Sequence, residues 1–261
     1  MKNWINSLSP TKASFILPTC NRFAYLQSCI DNIANFVKVL NYDYELIVVN
    51  DGSTDHPQHE YEKIVNEFSE LNGIESKYIH IEENTGTVSI PRNIGISHAT
   101  GRIIVPTDDD CFPTLAKAHM IKSFIFRNPN SYLSFGNREE WAVNADGDHN
   151  YIKTVDSSSY VNNKTTVGID NGQFIYDAAV YELIPPVFAI NACDWELYKN
   201  IATHSDFTYW PHTVCQYIWH ANNISKTPKS KRVNPLDVLH KYIGYFKNNE
   251  FSDFCKSIAN T

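Results

Sequence analysis

The chain has 261 residues, of which 43% are hydrophobic and 20% charged, with a formal net charge of -7. That length buries one substantial core, or a core and a small subdomain, and the composition excludes a disordered chain. The acidic balance excludes a nucleic-acid surface, which needs a clustered basic face.

The six cysteines, Cys20, Cys29, Cys111, Cys193, Cys215 and Cys255, show no CxxC pair and no zinc-like spacing. Scattered in this way they predict free thiols in a reducing compartment. "MKNWINSLSPTK" lacks the apolar centre of a signal peptide, and no run reaches the roughly 18 to 20 apolar residues of a spanning helix. The expectation is a cytoplasmic protein, peripheral to a membrane at most through the segment after Lys226. "KTPKSKR" (226–232) reads as a solvated basic linker.

In chain order, "SFIL" (14–17) predicts a short strand ending at Pro18. Leu26, Ile30, Ile33, Val37 and Leu40 recur at helical spacing. "YELIVV" (44–49) is a second strand, closed by the turn chemistry of "NDGSTD". Tyr61, Ile64, Val65, Phe68 and Leu71 form another helical stripe, and "KYIHI" (77–81) a third strand. A helix is predicted over 88–98, with Pro91 in its first turn where a missing N–H does no harm. "RIIV" is the fourth strand, and 115–126 is helical again. From 137 to 190 the periodicity loosens into Asn, Asp, Gly and Ser, which predicts loops and short strands. A helix over 191–204, two strands at "FTYW" and "TVCQYIWH", and two short helices over 235–246 and 251–258 follow.

Strands separated by helices of this length imply an α/β fold with a mostly parallel sheet. Ligands of such sheets gather beyond the carboxyl ends of the strands. "PTCNR", "NDGSTD" and "TDDD" each follow a strand directly, so they are expected to converge. The three adjacent carboxylates Asp108, Asp109 and Asp110 are either a solvated acidic turn or hard oxygen ligands for Mg²⁺ or Mn²⁺. Neither a GxxxxGK[ST] loop nor a GxGxxG fingerprint is present, so a bound diphosphate would have to be neutralised by a cation and donors such as Arg92.

The ordered motifs "ILPTCNR", "ELIVVNDGSTD", "NTGTVSIPRNIGISHATG" and "IIVPTDDDC" resemble the family 2 glycosyltransferases of GT-A fold over residues 13–115. The likeness continues more thinly over 193–225. It implies a Rossmann-type, GT-A-like sheet flanked by helices, with an irregular acceptor side and C-terminal helices. It also implies one domain over 1–225 (nucleotide half 13–115, acceptor half 116–225) and a helical tail over 226–261.

By position, the resemblance puts Pro18, Thr19 and Asn21 against base and ribose, Asp51 on the base, Arg92 facing the nucleotide, and Asp108 near the ribose. Asp55 helps orient the loop after Asp51, and Asp109 points elsewhere. The metal ligands are Asp110, Asp108 and His220, and Asp194 is the general base. The implied reaction inverts the anomeric centre of a nucleoside-diphosphate sugar. Its cofactor is Mn²⁺ or Mg²⁺, its donor first a UDP-sugar, and its acceptor a glycan or lipid-linked sugar. A non-catalytic nucleotide-sugar-binding protein and a sugar-nucleotide pyrophosphorylase are the alternative readings. The second is disfavoured because "ILPTCNR" has no glycine. The departures from the family pattern are Cys193 where an acid commonly precedes the base, and Pro91 where a small residue is common.

Overall fold

The computed structural model describes residues 2–38, 42–126, 130–144, 147–161, 169–184, 194–220, 223 and 233–259; the side chains of 194–196, 251, 254, 255, 258 and 259 fall outside that description. Its elements are α1 (Lys2–Ser7), β1 (Ser9–Thr19), α2 (Phe23–Val37), β2 (Tyr44–Asp51), α3 (Gln58–Asn72), β3 (Glu75–Ile81), α4 (Ser89–Ser97), β4 (Gly101–Pro106), β5 (Cys111–Pro113) and α5 (Leu115–Ile125). There follow β6 (Ser131–Val143), β7 (His149–Val155), β8 (Phe174–Asp177), α6 (Asp194–His204), β9 (Asp206–Trp219), α7 (Pro235–Tyr242) and α8 (Asn249–Ala259).

One nine-stranded sheet runs β3-β2-β1-β4-β8-β6-β9-β5, with β7 paired to β6 off this path. β3, β2, β1 and β4 are mutually parallel, β8 is antiparallel to β4 and β6, and β6 and β9 run parallel. β1, β2 and β4 carry near-continuous apolar runs because they are buried on both faces, whereas the edge strand β3 is mixed in composition and mostly half-buried. Along β1, Ala13, Phe15 and Leu17 enter one core with α2, α3 and α5. Ile16 enters the other, with α1, α4, α6 and α7. β2 and β4 repeat the alternation, with Leu46, Val48, Ile103 and Val105 on the first side and Ile47, Val49 and Ile104 on the second.

β1 extends past Pro18 to Thr19. Its last β4 partner is Ile16, opposite Pro106, so the absent proline N–H falls where no β4 residue is paired. α4 is buried at all nine positions, between the sheet and α7. Gly95 makes that approach possible: a Cβ there would lie 2.7 Å from Ile16 Cγ2 and 3.2 Å from Val49 Cγ2. Beyond α7, the His98 ring hydrogen-bonds the Tyr245 carbonyl at 3.0 Å and Lys247 N–H donates to Ser97 Oγ.

Three expectations change. Within 137–190, expected as loops and short strands, residues 137–143 continue the long strand β6 and 149–155 form β7 paired to it; pairing at a distance in sequence overrides their polar composition. "FTYW" and "TVCQYIWH" are one strand, β9, whose register against β6 shifts around Pro211–Val214; the proline sits in a bulge, where its missing donor is tolerated. Leu71, predicted in the buried stripe of α3, is 83% exposed, one turn beyond Phe68 where the core ends. Leu40, Cys193 and the basic run 226–232 lie outside the described residues. Among the described residues no helix is long and apolar enough to cross a membrane.

Candidate active site at the strand ends

The three post-strand segments do converge, and hydrogen bonds hold them together. At the end of β1, Thr19 Oγ1 donates to Asp109 Oδ2 at 2.7 Å. Asn21 takes the left-handed conformation at φ 53°, which Asn tolerates better than most residues. Its Oδ1 accepts from Thr54 N at 2.7 Å and Asp55 N at 3.2 Å, and its own N–H donates to Ser53 Oγ. The side chain of Asn21 is therefore committed to fixing the loop after β2. Asp55 in turn accepts from Phe23 N–H and Tyr61 OH, capping the start of α2, which has no side-chain cap of its own.

Asp51 ends β2, buried, and the turn continues through Gly52 at φ 65°, where a Cβ would stand 2.3 Å from Asn84 N. Oδ1 of Asp51 accepts from Thr85 N, and Oδ2 from Thr85 Oγ1, both at 3.0 Å. Burial pushes the Asp51 carboxyl up to about 6, against the lowering effect of the two Thr85 hydrogen bonds.

Beyond β4 the turn Asp108–Asp110 is fastened by Cys111 N–H on Asp108 O and by Ile218 N–H of β9 on Asp110 O at 2.8 Å. The carboxylates then part. Asp108 Oδ1 accepts from the buried Arg92 at 2.9 Å. Asp109 receives Thr19 and, at 2.7 Å, Arg22 Nη1. Asp110 Oδ2 accepts from the same Arg22 nitrogen at 2.9 Å, from Asn223 Nδ2 at 2.9 Å, and meets His220 Nε2 at 3.3 Å. The His220 ring stacks on Tyr25 at 4.4 Å, and its backbone N–H donates to Asn223 Oδ1. Burial raises the Asp109 carboxyl although Arg22 pulls it down. The guanidinium of Arg22 is held more firmly protonated, because its burial is outweighed by Asp109 and Asp110.

Of the residues expected at the site, Thr19, Arg92, Asp108, Asp110 and His220 meet around the aspartate turn, and Asp51 stands at the adjoining end of β2. Pro18 is buried within β1 beside them. Asp194 opens α6, and its side chain lies outside the described residues. Arg22, Tyr25 and Asn223 were missed. Arg22 carried a signal, standing at the end of "PTCNR" right after a strand; Asn223 carried none, because its role exists only through β9. Among the described residues no group of three or more His, Cys, Asp or Glu side chains is arranged to hold a metal ion. Asp110 and His220 are a pair, and Asp108 is engaged by Arg92. A cation here would take few ligands from the protein.

The pattern described as Glycosyl transferase family 2 matches residues 14–165, more than half of the chain. This chain belongs to glycosyl transferase family 2. Among curated relatives, the glycosyltransferase GlyA of Streptococcus pneumoniae is 32% identical over 99 residues, 38% of this chain and 13% of that protein. The poly(ribitol-phosphate) beta-N-acetylglucosaminyltransferase TarP of Staphylococcus aureus is 28% identical over 99 residues, 38% of this chain and 28% of TarP. The chain thus matches less than a third of the length of these two curated relatives.

In solved structures the fold recurs in S. aureus TarS 1–349 in complex with UDP-GlcNAc. There the TM-score is 0.63 at 17% identity, covering 95% of this chain and 70% of that one. It recurs also in the mannosyltransferase PcManGT of Pyrobaculum calidifontis in complex with GDP-Man and Mn²⁺. That match has a TM-score of 0.55 at 17% identity over 99% of this chain and 74% of that one. These likenesses establish the GT-A fold: a curled, mostly parallel sheet with flanking helices.

Proposed function

We propose that this chain transfers a sugar from a nucleoside-diphosphate sugar, a UDP-sugar first, to a hydroxyl of a glycan or related acceptor, inverting the anomeric carbon. The observation that carries the reading is the convergence of Asp51, Asp108, Asp110, Arg22, Arg92 and His220 at one end of the sheet of a family 2 chain. Uridine is favoured by the UDP-GlcNAc bound to TarS, and a divalent cation by the Mn²⁺ beside GDP-Man in PcManGT.

In this reading Asp51 accepts a hydrogen bond from the base, and Pro18, Thr19 and Asn21 border base and ribose. Arg92 and Asp108 bracket the ribose side. Asp110 and His220, with Asp108 the third candidate, would hold Mn²⁺ or Mg²⁺, the remaining positions falling to diphosphate and water. Bound there, the ion would supply neutralisation of the departing diphosphate. Asp194 takes the proton of the acceptor hydroxyl as its oxygen bonds to the anomeric carbon and the diphosphate leaves with the bonding pair. Residues 13–115 form the nucleotide half, 116–225 the acceptor half, and 226–261 a helical tail. The free thiols Cys20, Cys29, Cys111 and Cys215 support a cytoplasmic setting.

The test is calorimetric titration of UDP, with and without Mn²⁺, on the wild type and Asp110→Ala. Binding that needs both the ion and Asp110 is the expected result. UDP binding indifferent to both would remove the aspartates from any metal site, and no UDP binding at all would refute the uridine assignment.

A further inference from the structure

β9 carries a second cluster outward from the Asp110–His220 pair. Tyr217 and Trp219 alternate onto the face of β9 that bears Cys215, half-buried, with ring centroids 5.1 Å apart in an edge-to-face arrangement. Tyr217 is tied to the aspartate turn, since Asn223 Nδ2 donates to Tyr217 OH at 3.2 Å and to Asp110 Oδ2 at 2.9 Å. At the other end Trp219 Nε1 donates to Glu140 Oε2 at 3.1 Å, across the β6–β9 pairing. The indole is thus fixed by its N–H edge while its ring remains partly exposed.

Glu140 keeps its charge. Burial works against ionisation, but hydrogen bonds from Arg138 and Trp219 outweigh it and hold the carboxyl below its usual range. Among the described residues, the cations beside Glu140 are matched to carboxylates: Arg138 to Glu140 at 2.7 Å and Asp170 at 2.9 Å, and Lys153 to Glu140 at 3.5 Å. An oriented aromatic body next to a fixed carboxylate suits a ligand with apolar C–H faces and hydroxyl edges. Among the described residues, an anionic chain would meet Glu140 and Asp170 with no excess of positive charge beside them.

We propose that the Tyr217–Trp219 face, between Asn223 and Glu140, is a carbohydrate subsite that takes a neutral, hydroxyl-bearing sugar ring. Its place as the acceptor subsite rests on the glycosyl transfer proposed above. The acceptor is then a neutral glycan and not a phosphate-rich polymer, even though TarP and TarS are poly(ribitol-phosphate) transferases by name.

The test titrates the full chain with maltotetraose and chitotetraose as neutral probes and with a poly(ribitol-phosphate) oligomer as the anionic one. The indole N–H resonance of Trp219 is assigned by its loss in Trp219→Phe. A neutral probe should shift that resonance, and its affinity should fall at least tenfold in Trp219→Leu and stay unchanged in Tyr151→Ala, which lies on the other face of the hairpin. If Trp219→Leu melts early, the wild-type resonance decides alone. Tighter binding of the anionic oligomer, no binding of either neutral probe, or a shift that tracks protein concentration and marks a contact between copies would each overturn the subsite. UDP is titrated into the same samples. UDP binding with no glycan effect at Trp219 refutes only the subsite, whereas glycan binding there without UDP binding upholds it and refutes the uridine assignment.

Discussion

Arg22→Met removes the cation that stands between two buried carboxylates. The side chains of Asp109 and Asp110 are only 4% and 8% exposed, and that of Arg22 is 15% exposed. Removing one partner of a buried pair leaves an uncompensated charge and costs about 3–5 kcal/mol, a large share of the roughly 5–15 kcal/mol that holds a typical domain together. With a urea m-value of about 3 kcal/mol/M, the midpoint should fall by about 1–1.7 M. The loss should also depend on pH. Without the guanidinium the folded Asp109 binds its proton more tightly still, further above its unfolded value. Such a group stabilises the fold below the unfolded pKa, and that contribution is lost as pH rises through the folded one. Arg22→Met should therefore lose least near pH 5 and most near pH 8. The double variant Arg22→Met/Asp109→Asn removes one of the two stranded charges, leaving Asp110 with Asn223 and His220, and the amide oxygen that replaces the carboxylate can still accept from Thr19; it should recover at least about 2 kcal/mol by double-mutant cycle. Urea melts of the four proteins at both pH values are the assay. A single-variant loss under about 1 kcal/mol, or strict additivity in the cycle, would show that Arg22 is a surface ion pair in effect and refute the reasoning.

Other outcomes follow from the same geometry. Since the Asp51 carboxyl is pushed up to about 6, UDP affinity should weaken as pH falls through 6, and Asp51→Asn should bind weakly with a flat profile; calorimetry from pH 5 to 8 reads this. Glu45 is fully buried at the start of β2, where it accepts from Ser14 Oγ, Thr100 N and Lys77 Nζ. Burial opposes its ionisation, but these bonds prevail and hold it down to about 2. Its stabilisation is present above the ordinary glutamate range and lost as pH falls toward 2, so Glu45→Ala should cost about 3–5 kcal/mol at pH 7 and much less near pH 2.5 in urea melts. Gly95→Ala drives a methyl into Ile16 and Val49 and should cost about 1–3 kcal/mol by overpacking. A melting temperature equal to wild type would contradict the close seating of α4.

The first half of the fold was readable because its signals are local. Apolar runs such as "YELIVV" and stripes such as Leu26–Ile30–Ile33 need no knowledge of partners, and turn chemistry marks where each strand stops. The half from β6 onward is held by pairings far apart in sequence. Trp141 faces Ile218 and Arg138 faces Cys215, so nothing near residue 140 announces a strand. The candidate site divides the same way. Residues that follow strands could be gathered from the α/β rule alone, whereas Asn223 joins Asp110 only because β9 returns beside the aspartate turn. The opposite charge for those aspartates was sought in a bound ion, yet the chain carries part of it in Arg22 and Arg92.

The seating of α4 has a consequence for the segment behind it. A helix covered on every side has no solvent face on which to absorb a displacement, so movement imposed from one side is passed to the other. Arg92 projects from this helix to Asp108, while Ser97 and His98 at its end are gripped by the stretch from Tyr245 to Lys247. The C-terminal helices therefore act as the back wall of the crevice. Substitutions along α7 that leave the molecule folded should register at Arg92 and Asp108, and so in the UDP titration proposed above.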